Sequence, residues 1–232
     1  FDFVTSGKVK ISMSGYIDDV INSYGVTKEA ATPAAEYLFN IRDSSPALDD
    51  ERKEEFHSRV AKLLYLAKRV RPDILTAISF LASRVQAPAE NDWQKLDRVL
   101  RYLFGTRHMG LALSAGDKMQ LLIYVDASYA VHNDMRSHSG LAMSLGKGAF
   151  YVKSKKQKLN TKSSTEAEIV GVSDMLPPGI WAREFLLAQG YDNSPAILYQ
   201  DNKSTISLME KGRSTSELTR HINIRFFFVT DR

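Results

Sequence analysis

The chain has 232 residues, 44% hydrophobic and 25% charged, which is enough length and apolar content to bury one large core or two small ones. It contains no cysteine, which excludes disulfides and thiolate metal sites; any bound metal must take oxygen or imidazole ligands, and that favours hard ions such as Mg²⁺. The formal charge of +4 is mildly basic and suits a polyanionic partner. No run of about 18 apolar residues occurs, and the N-terminal "FDFVTSGKVKISMSGY" lacks the pattern of a signal peptide, so the sequence reads as intracellular and without a membrane segment.

The first half reads as helical. In "AKLLYLAKRVRPDILTAISFLASRVQAP" apolar residues recur at helical spacing on both sides of Arg71-Pro72. Pro72 marks the start of a new helix, with Leu75, Ile78, Leu81, Ala82 and Val85 on one face. A further helix follows in "NDWQKLDRVLRYLFGT", where Trp93, Leu96, Val99, Leu100 and Leu103 share a side and Gly105 supplies the stop. Residues 31–50, rich in Ala, Pro and Ser, form a connecting segment.

Near "LSAGDKMQ" the period changes from helical to extended, which predicts two domains, 1–115 and 116–232. The second reads as α/β. Strands are expected at "LLIYVDAS", "SGLAMSLG" and "AFYVKSK", with Gly146-Lys147-Gly148 as a hairpin turn. A helix then starts near Thr165, is interrupted at Pro177-Pro178-Gly179, and resumes to a stop at Gly190. The short strand "AILYQ" and a helix in "DNKSTISLMEKG" complete a mixed sheet with flanking helices.

Acidic residues stand out against this pattern. Asp126 falls inside an apolar strand, where a charge is costly unless paired or bound to metal. Asp201 ends a strand just before a helix, a position that serves equally as a helix N-cap or as a side chain aimed into the crevice at the sheet edge. Glu166 and Glu168 each fit a capping box, with Ser163 and Thr165 respectively, and both cannot share one cap. Lys153, Lys155, Lys156, Lys158 and Lys162 crowd "KSKKQKLNTK", as a solvated strand edge or as a phosphate-binding surface.

The ordered pieces "YVDASYA", "RSHSG", "KSKKQK", "SSTEAE", "YQDNKSTI" and "RHINIR" resemble the ribonuclease H region of Ty1/copia-type retrotransposon polyproteins. "KISMSGYIDDVI", "LLYLAKRVRPDI" and "RVLRYLFGT" resemble the segment just upstream, the thumb and connection part of the reverse transcriptase. The resemblance implies an endonuclease that cuts the RNA strand of an RNA–DNA hybrid with two Mg²⁺ or Mn²⁺ ions held by Asp126, Glu168 and Asp201. The order Asp, Glu, Asp is that of ribonuclease H; integrases and DDE transposases place the glutamate last. Glu168 takes the metal role because "EIVGV" matches the family's helix register, which leaves Glu166 to cap with Ser163. Lys153, Lys155, Lys156 and Lys158, with Ser128, Asn202 and Ser204, are then expected to contact the hybrid.

The same resemblance implies the palm and fingers of the polyprotein as a partner, no membrane, and a cytoplasmic (virus-like particle) or nuclear location. Two departures accompany it. The family's fourth aspartate, in a helix after "RHINIR", is not reached: Asp231 is too early, His221 reads as structural and Asn223 stands where Asp is usual. The polymerase palm is also missing, since the flanks of "YIDDVI" match the helical segment downstream of it, so no polymerase activity is expected. The alternative reading is a non-catalytic remnant or adopted domain that binds nucleic acid or a protein partner.

Overall fold

The computed structural model describes residues 2–5, 7–116, 119–191 and 195–211, and the chain divides into two units, Phe1–Ala112 and Leu113–Arg232. The first unit opens with a hairpin that helical periodicity did not predict, β1 (Asp2–Thr5) antiparallel to β2 (Lys8–Ile11). Helix α1 (Ser14–Ser23) follows and buries Ile17, Val20 and Ile21, one helical face. It contains "YIDDVI", whose aspartates therefore sit on a regular helix. After an irregular connection, Asp49 caps α2 (Asp50–Arg69) by accepting from the Arg52 N–H at 2.8 Å.

Pro72 ends that helical path, as its missing N–H and fixed φ require, and a 3₁₀ turn (Pro72–Ile74) leads into α3 (Leu75–Ala82). The face predicted there is buried at Leu75, Ile78 and Leu81, while Val85 lies beyond the helix end. Arg71, only 1% exposed, pins this corner to the end of α4 (Glu90–Gly105). Its guanidinium donates to Asp73 and to the Thr106 carbonyl and hydroxyl, at 2.7, 3.0 and 2.6 Å. A buried arginine is tolerable only when its donors are used in this way.

The second unit is an α/β layer pair. Strands β4 (Leu122–Ser128), β5 (His138–Ser144), β7 (Tyr151–Lys156) and β8 (Ile197–Tyr199) form one sheet in the order β7-β5-β4-β8. The β7-β5-β4 pairings are antiparallel, and β8 runs parallel to β4, so the sheet is mixed. Helix α5 (Ser164–Ala188) covers one face, with Val172, Met175 and Ala182 packed on Ile123, Val125, Leu141 and Met143. Helix α6 (Lys203–Lys211) follows β8.

Three local expectations are corrected. Gly146 and Lys147 do not simply turn: they form β6 (Gly146–Lys147), paired with Ala115 and Ser114 of β3 (Leu111–Ala115). A Cβ on Gly146 would lie 2.5 Å from the Gly116 nitrogen, so the backbones can approach there only because the residue is glycine. Helix α5 is not interrupted at Pro177-Pro178; it runs through both prolines, because Met175, Leu176, Gly179, Ala182 and Leu186 are buried along one continuous face. Finally, Asp126 is not inside a uniformly buried strand. Burial in β4 alternates, with Ile123, Val125 and Ala127 inward and Tyr124, Asp126 and Ser128 exposed, so its charge carries no large desolvation cost.

Candidate metal centre

Parallel pairing of β4 and β8 brings their carboxyl ends to one sheet edge, the place where α/β sheets present functional side chains. Asp126 projects from β4 on the exposed face, opposite Gly140 of β5, where no side chain competes for the space. Asp201 follows β8 by two residues. It is exposed and is not the helix cap: Asn202 fills that role, its Oδ1 accepting from the Thr205 N–H at 3.0 Å.

The third carboxylate comes from the first turns of α5. Ser163 caps the helix, accepting from the Glu166 N–H at 3.2 Å. Glu166 returns its carboxylate to the backbone N–H of Lys162, so the reciprocal hold of a capping box reaches the residue before the cap. Glu168, one position past the capping turn, is 6% exposed and turned to the sheet edge. One oxygen from each of Asp126, Glu168 and Asp201 lies within 4.8 Å of the others, and among the described residues no other group of three or more such side chains could hold a metal ion.

Glu168 is the electrostatic centre of the site. Burial pushes its pKa up to about 6, and the nearby charges of Asp126 and Asp201 add to the rise. Hydrogen bonds from the Gln200 side chain, at 3.0 Å, and from the Ala127 backbone oppose it by favouring the carboxylate. An all-oxygen donor set fits a hard divalent cation, whose ligand oxygens lie about 2.0–2.6 Å from the ion. The triad is therefore able to hold a metal ion.

The other expected contact residues are scattered. Lys153 and Lys155 pair with Leu141 and Ser139 and share the α5 side of edge strand β7, whereas Lys156 points to the opposite face. There Lys156 is engaged by Asp134 at 2.7 Å. Lys158 and Lys162 are exposed beyond the strand, so the run forms no single surface. Ser128 is exposed at the end of β4, Ser204 is exposed in the first turn of α6, and Asn202 is half-buried in its cap. Asp231, His221 and Asn223 lie outside the described residues.

Two groups of polar residues were missed by the sequence reading. Gln200 bridges the triad and the α6 turn, and nothing in the local pattern "YQDN" signals this. His132 and His138 are buried and linked, Nε2 to Nδ1, at 3.0 Å, and the second nitrogen of His138 meets Ser154 Oγ at 2.7 Å.

Comparison with known proteins gives a consistent group. The chain is 30% identical over 234 residues to the "Retrovirus-related Pol polyprotein from transposon TNT 1-94" of Nicotiana tabacum, covering 98% of this chain and 18% of that protein. It is 33% identical over 207 residues to the corresponding polyprotein from transposon RE2 of Arabidopsis thaliana, covering 88% of this chain and 14% of that protein. It is also 35% identical over 125 residues to the "Secreted RxLR effector protein 161" of Plasmopara viticola, covering 53% of this chain and 88% of the effector. The chain thus spans less than a fifth of the length of the two polyproteins. No family model and no solved structure matches it. Among the described residues, no helix is long and apolar enough to cross a membrane.

Proposed function

We propose, from the premise that this chain's homologues are the Pol polyproteins of Ty1/copia-type retrotransposons, that its second unit is a ribonuclease H-like endonuclease. Its substrate is an RNA–DNA hybrid and its product is a cut RNA strand. The observation that carries this reading is the meeting of Asp126, Glu168 and Asp201 within 4.8 Å at the carboxyl edge of two parallel strands. Two Mg²⁺ or Mn²⁺ ions, when bound, would supply an activated water and stabilise the leaving oxygen.

The chain's own residues divide the remaining work. Asp126 and Asp201, both exposed, present ligands on the side open to a phosphate, while buried Glu168 holds the inner side of the site. Lys153, Lys155 and Lys158 supply backbone attraction that is independent of sequence, and Ser128, Ser204 and the Asn202 amide add polar contacts to phosphate or ribose. Lys156 contributes only by exchanging its partner Asp134 for phosphate.

A labelled RNA–DNA hybrid tests the proposal. Cleavage is expected with Mg²⁺ or Mn²⁺ and is abolished by Asp126→Asn; binding of the hybrid with no cut at any concentration of either ion overturns it. That second outcome is the one expected of an adopted, non-catalytic binding domain. A protein named a secreted effector matches 53% of this chain over 88% of its own length, so related sequence also occurs outside the long polyproteins.

The first unit, on the same premise, is the thumb and connection part of a reverse transcriptase whose partners are the palm and fingers of the polyprotein. Its "YIDDVI" lies on α1 and gathers no third carboxylate among the described residues. Primer extension by this chain is accordingly expected to give no product. A cytoplasmic, particle-associated or nuclear location follows from the same reading.

A further inference from the structure

Glu168 is held from two sides, and each hold comes from the sequence neighbour of one of the other two carboxylates. The backbone N–H of Ala127, next to Asp126, donates to it, and the side chain of Gln200, next to Asp201, donates from Nε2 to Glu168 Oε2 at 3.0 Å. The Gln200 amide cannot be turned over without loss. Its Oε1 accepts the backbone N–H of Asn202 at 3.0 Å, so a flip would set oxygen against the carboxylate and NH₂ against an N–H donor.

This one side chain therefore joins the buried glutamate on α5 to the turn that carries Asp201 and starts α6. Asn202 in turn caps α6 through Thr205. With Oε2 held by the Gln200 amide and the Ala127 N–H donating to the same carboxylate, rotation of the group is restricted while one oxygen of each of the three acids lies within 4.8 Å of the others. Groups that fix a ligand's orientation in this way alter metal affinity about 10–100-fold when removed.

We propose that Gln200 is a positioning residue of the metal centre, which orients Glu168 for shared coordination with Asp126 and Asp201 and couples that orientation to the α6 turn. The proposal deepens the metal-dependent reading above and rests on it. Gln200 acts through Glu168: its amide nitrogen, which meets the carboxylate, has no lone pair to offer a metal, and its oxygen accepts the Asn202 N–H.

The test is Mn²⁺ binding to the full chain by electron paramagnetic resonance, alongside thermal melting in EDTA. Gln200→Met, close in shape but without donor or acceptor, is expected to weaken Mn²⁺ binding at least 10-fold while leaving the melting curve in EDTA nearly in place. Should that variant fail to fold, Gln200→Asn gives the same comparison, because it keeps an amide but is one methylene too short to span both partners. Wild-type binding that is unchanged in the folded variant overturns the role of Gln200 and leaves the metal centre standing. Absence of Mn²⁺ binding in the wild type overturns the metal centre itself and Gln200's role with it.

Discussion

Tyr124 and Tyr199 face each other in the parallel register of β4 and β8, and their rings stack with centroids 4.6 Å apart and planes within 7° of parallel. Both are more than 40% exposed, so the pair adds little to the core and instead marks the alignment of the two strands. Two residues further along each path come Asp126 and Asp201. The register that stacks the rings is the one that sets these carboxylates side by side, and a slip of one residue would turn Asp201 to the other face of the sheet.

Carboxylates held this close repel one another when no cation is bound. Asp126→Asn should therefore make the metal-free protein more stable, not less, and Glu168 should then titrate below its present value of about 6. Denaturant unfolding in EDTA checks the first point, and carboxyl-carbon NMR checks the second. Added Mg²⁺ or Mn²⁺ should raise the unfolding midpoint of the wild type and barely move that of the variant. A variant less stable than wild type in EDTA would show that Asp126 is held by attraction and that the three groups do not repel.

Continuity of α5 through two prolines leads to a second prediction. Pro177 has no N–H to offer the carbonyl four residues back, Ser173, and its ring crowds that group. The helix persists only because its buried face is continuous. Pro177→Ala should restore the missing bond and stabilise the protein by about 1–3 kcal/mol, read as a higher midpoint in urea. An unchanged or lower midpoint would mean that the helix is locally opened there to suit the proline.

These cases define what the sequence could convey. The order of the main elements from β4 to α6 was legible, since the change from helical to alternating period near Leu113–Gln120 is a local signal, and so was the order of the three acids along the chain; the β1–β2 hairpin was not. The persistence of α5 was not, because the rule that proline breaks helices is local, while the packing of Gly179 and Met175 on the sheet that overrides it is not. The β6 pairing with Ser114 and Ala115 is equally non-local. Gln200 stayed hidden for the same reason: its partner Glu168 lies 32 residues away, on another element. The lysine run is a different case: its division between two faces of β7 follows from strand alternation and is lost when the residues are read as a linear cluster.

The buried histidine pair gives stability a defined pH dependence. Burial pushes both His132 and His138 down to about 4; Lys156 adds to the fall for His132, as His132 does for His138. The unfolded chain, with histidines near their ordinary 6.5, takes up protons first, so the contribution is complete above about pH 6.5 and is lost as pH falls toward 4. Glu168 acts in the opposite sense: raised to about 6 from 4.5, it binds its proton first in the folded state and offsets part of the loss between those values. Unfolding midpoints should therefore fall as pH drops below about 6.5, and between about pH 6 and 4.5 they should fall less than the two histidines alone would require. The slope should flatten in His132→Asn/His138→Asn. A slope that survives in the double variant assigns the dependence to other groups.

Close approach of α5 to β4 at Gly179 makes the last prediction a matter of competing signs. In an exposed helix Gly→Ala gains about 1 kcal/mol from backbone entropy. At Gly179 the added methyl would meet Ile123 Cδ1 at 2.5 Å, and Ile123 is itself only 3% exposed, with little room to rotate away. Overpacking of this kind costs about 1–3 kcal/mol, so Gly179→Ala should be destabilising by about 1 kcal/mol net. Ile123→Val removes the clashing methyl at a cost of about 1 kcal/mol alone. Combined, the two changes should be better than additive, because the alanine fills the space that the shorter side chain vacates. A double-mutant cycle in urea reads this directly: a coupling energy near zero would mean that α5 and β4 do not touch through this pair.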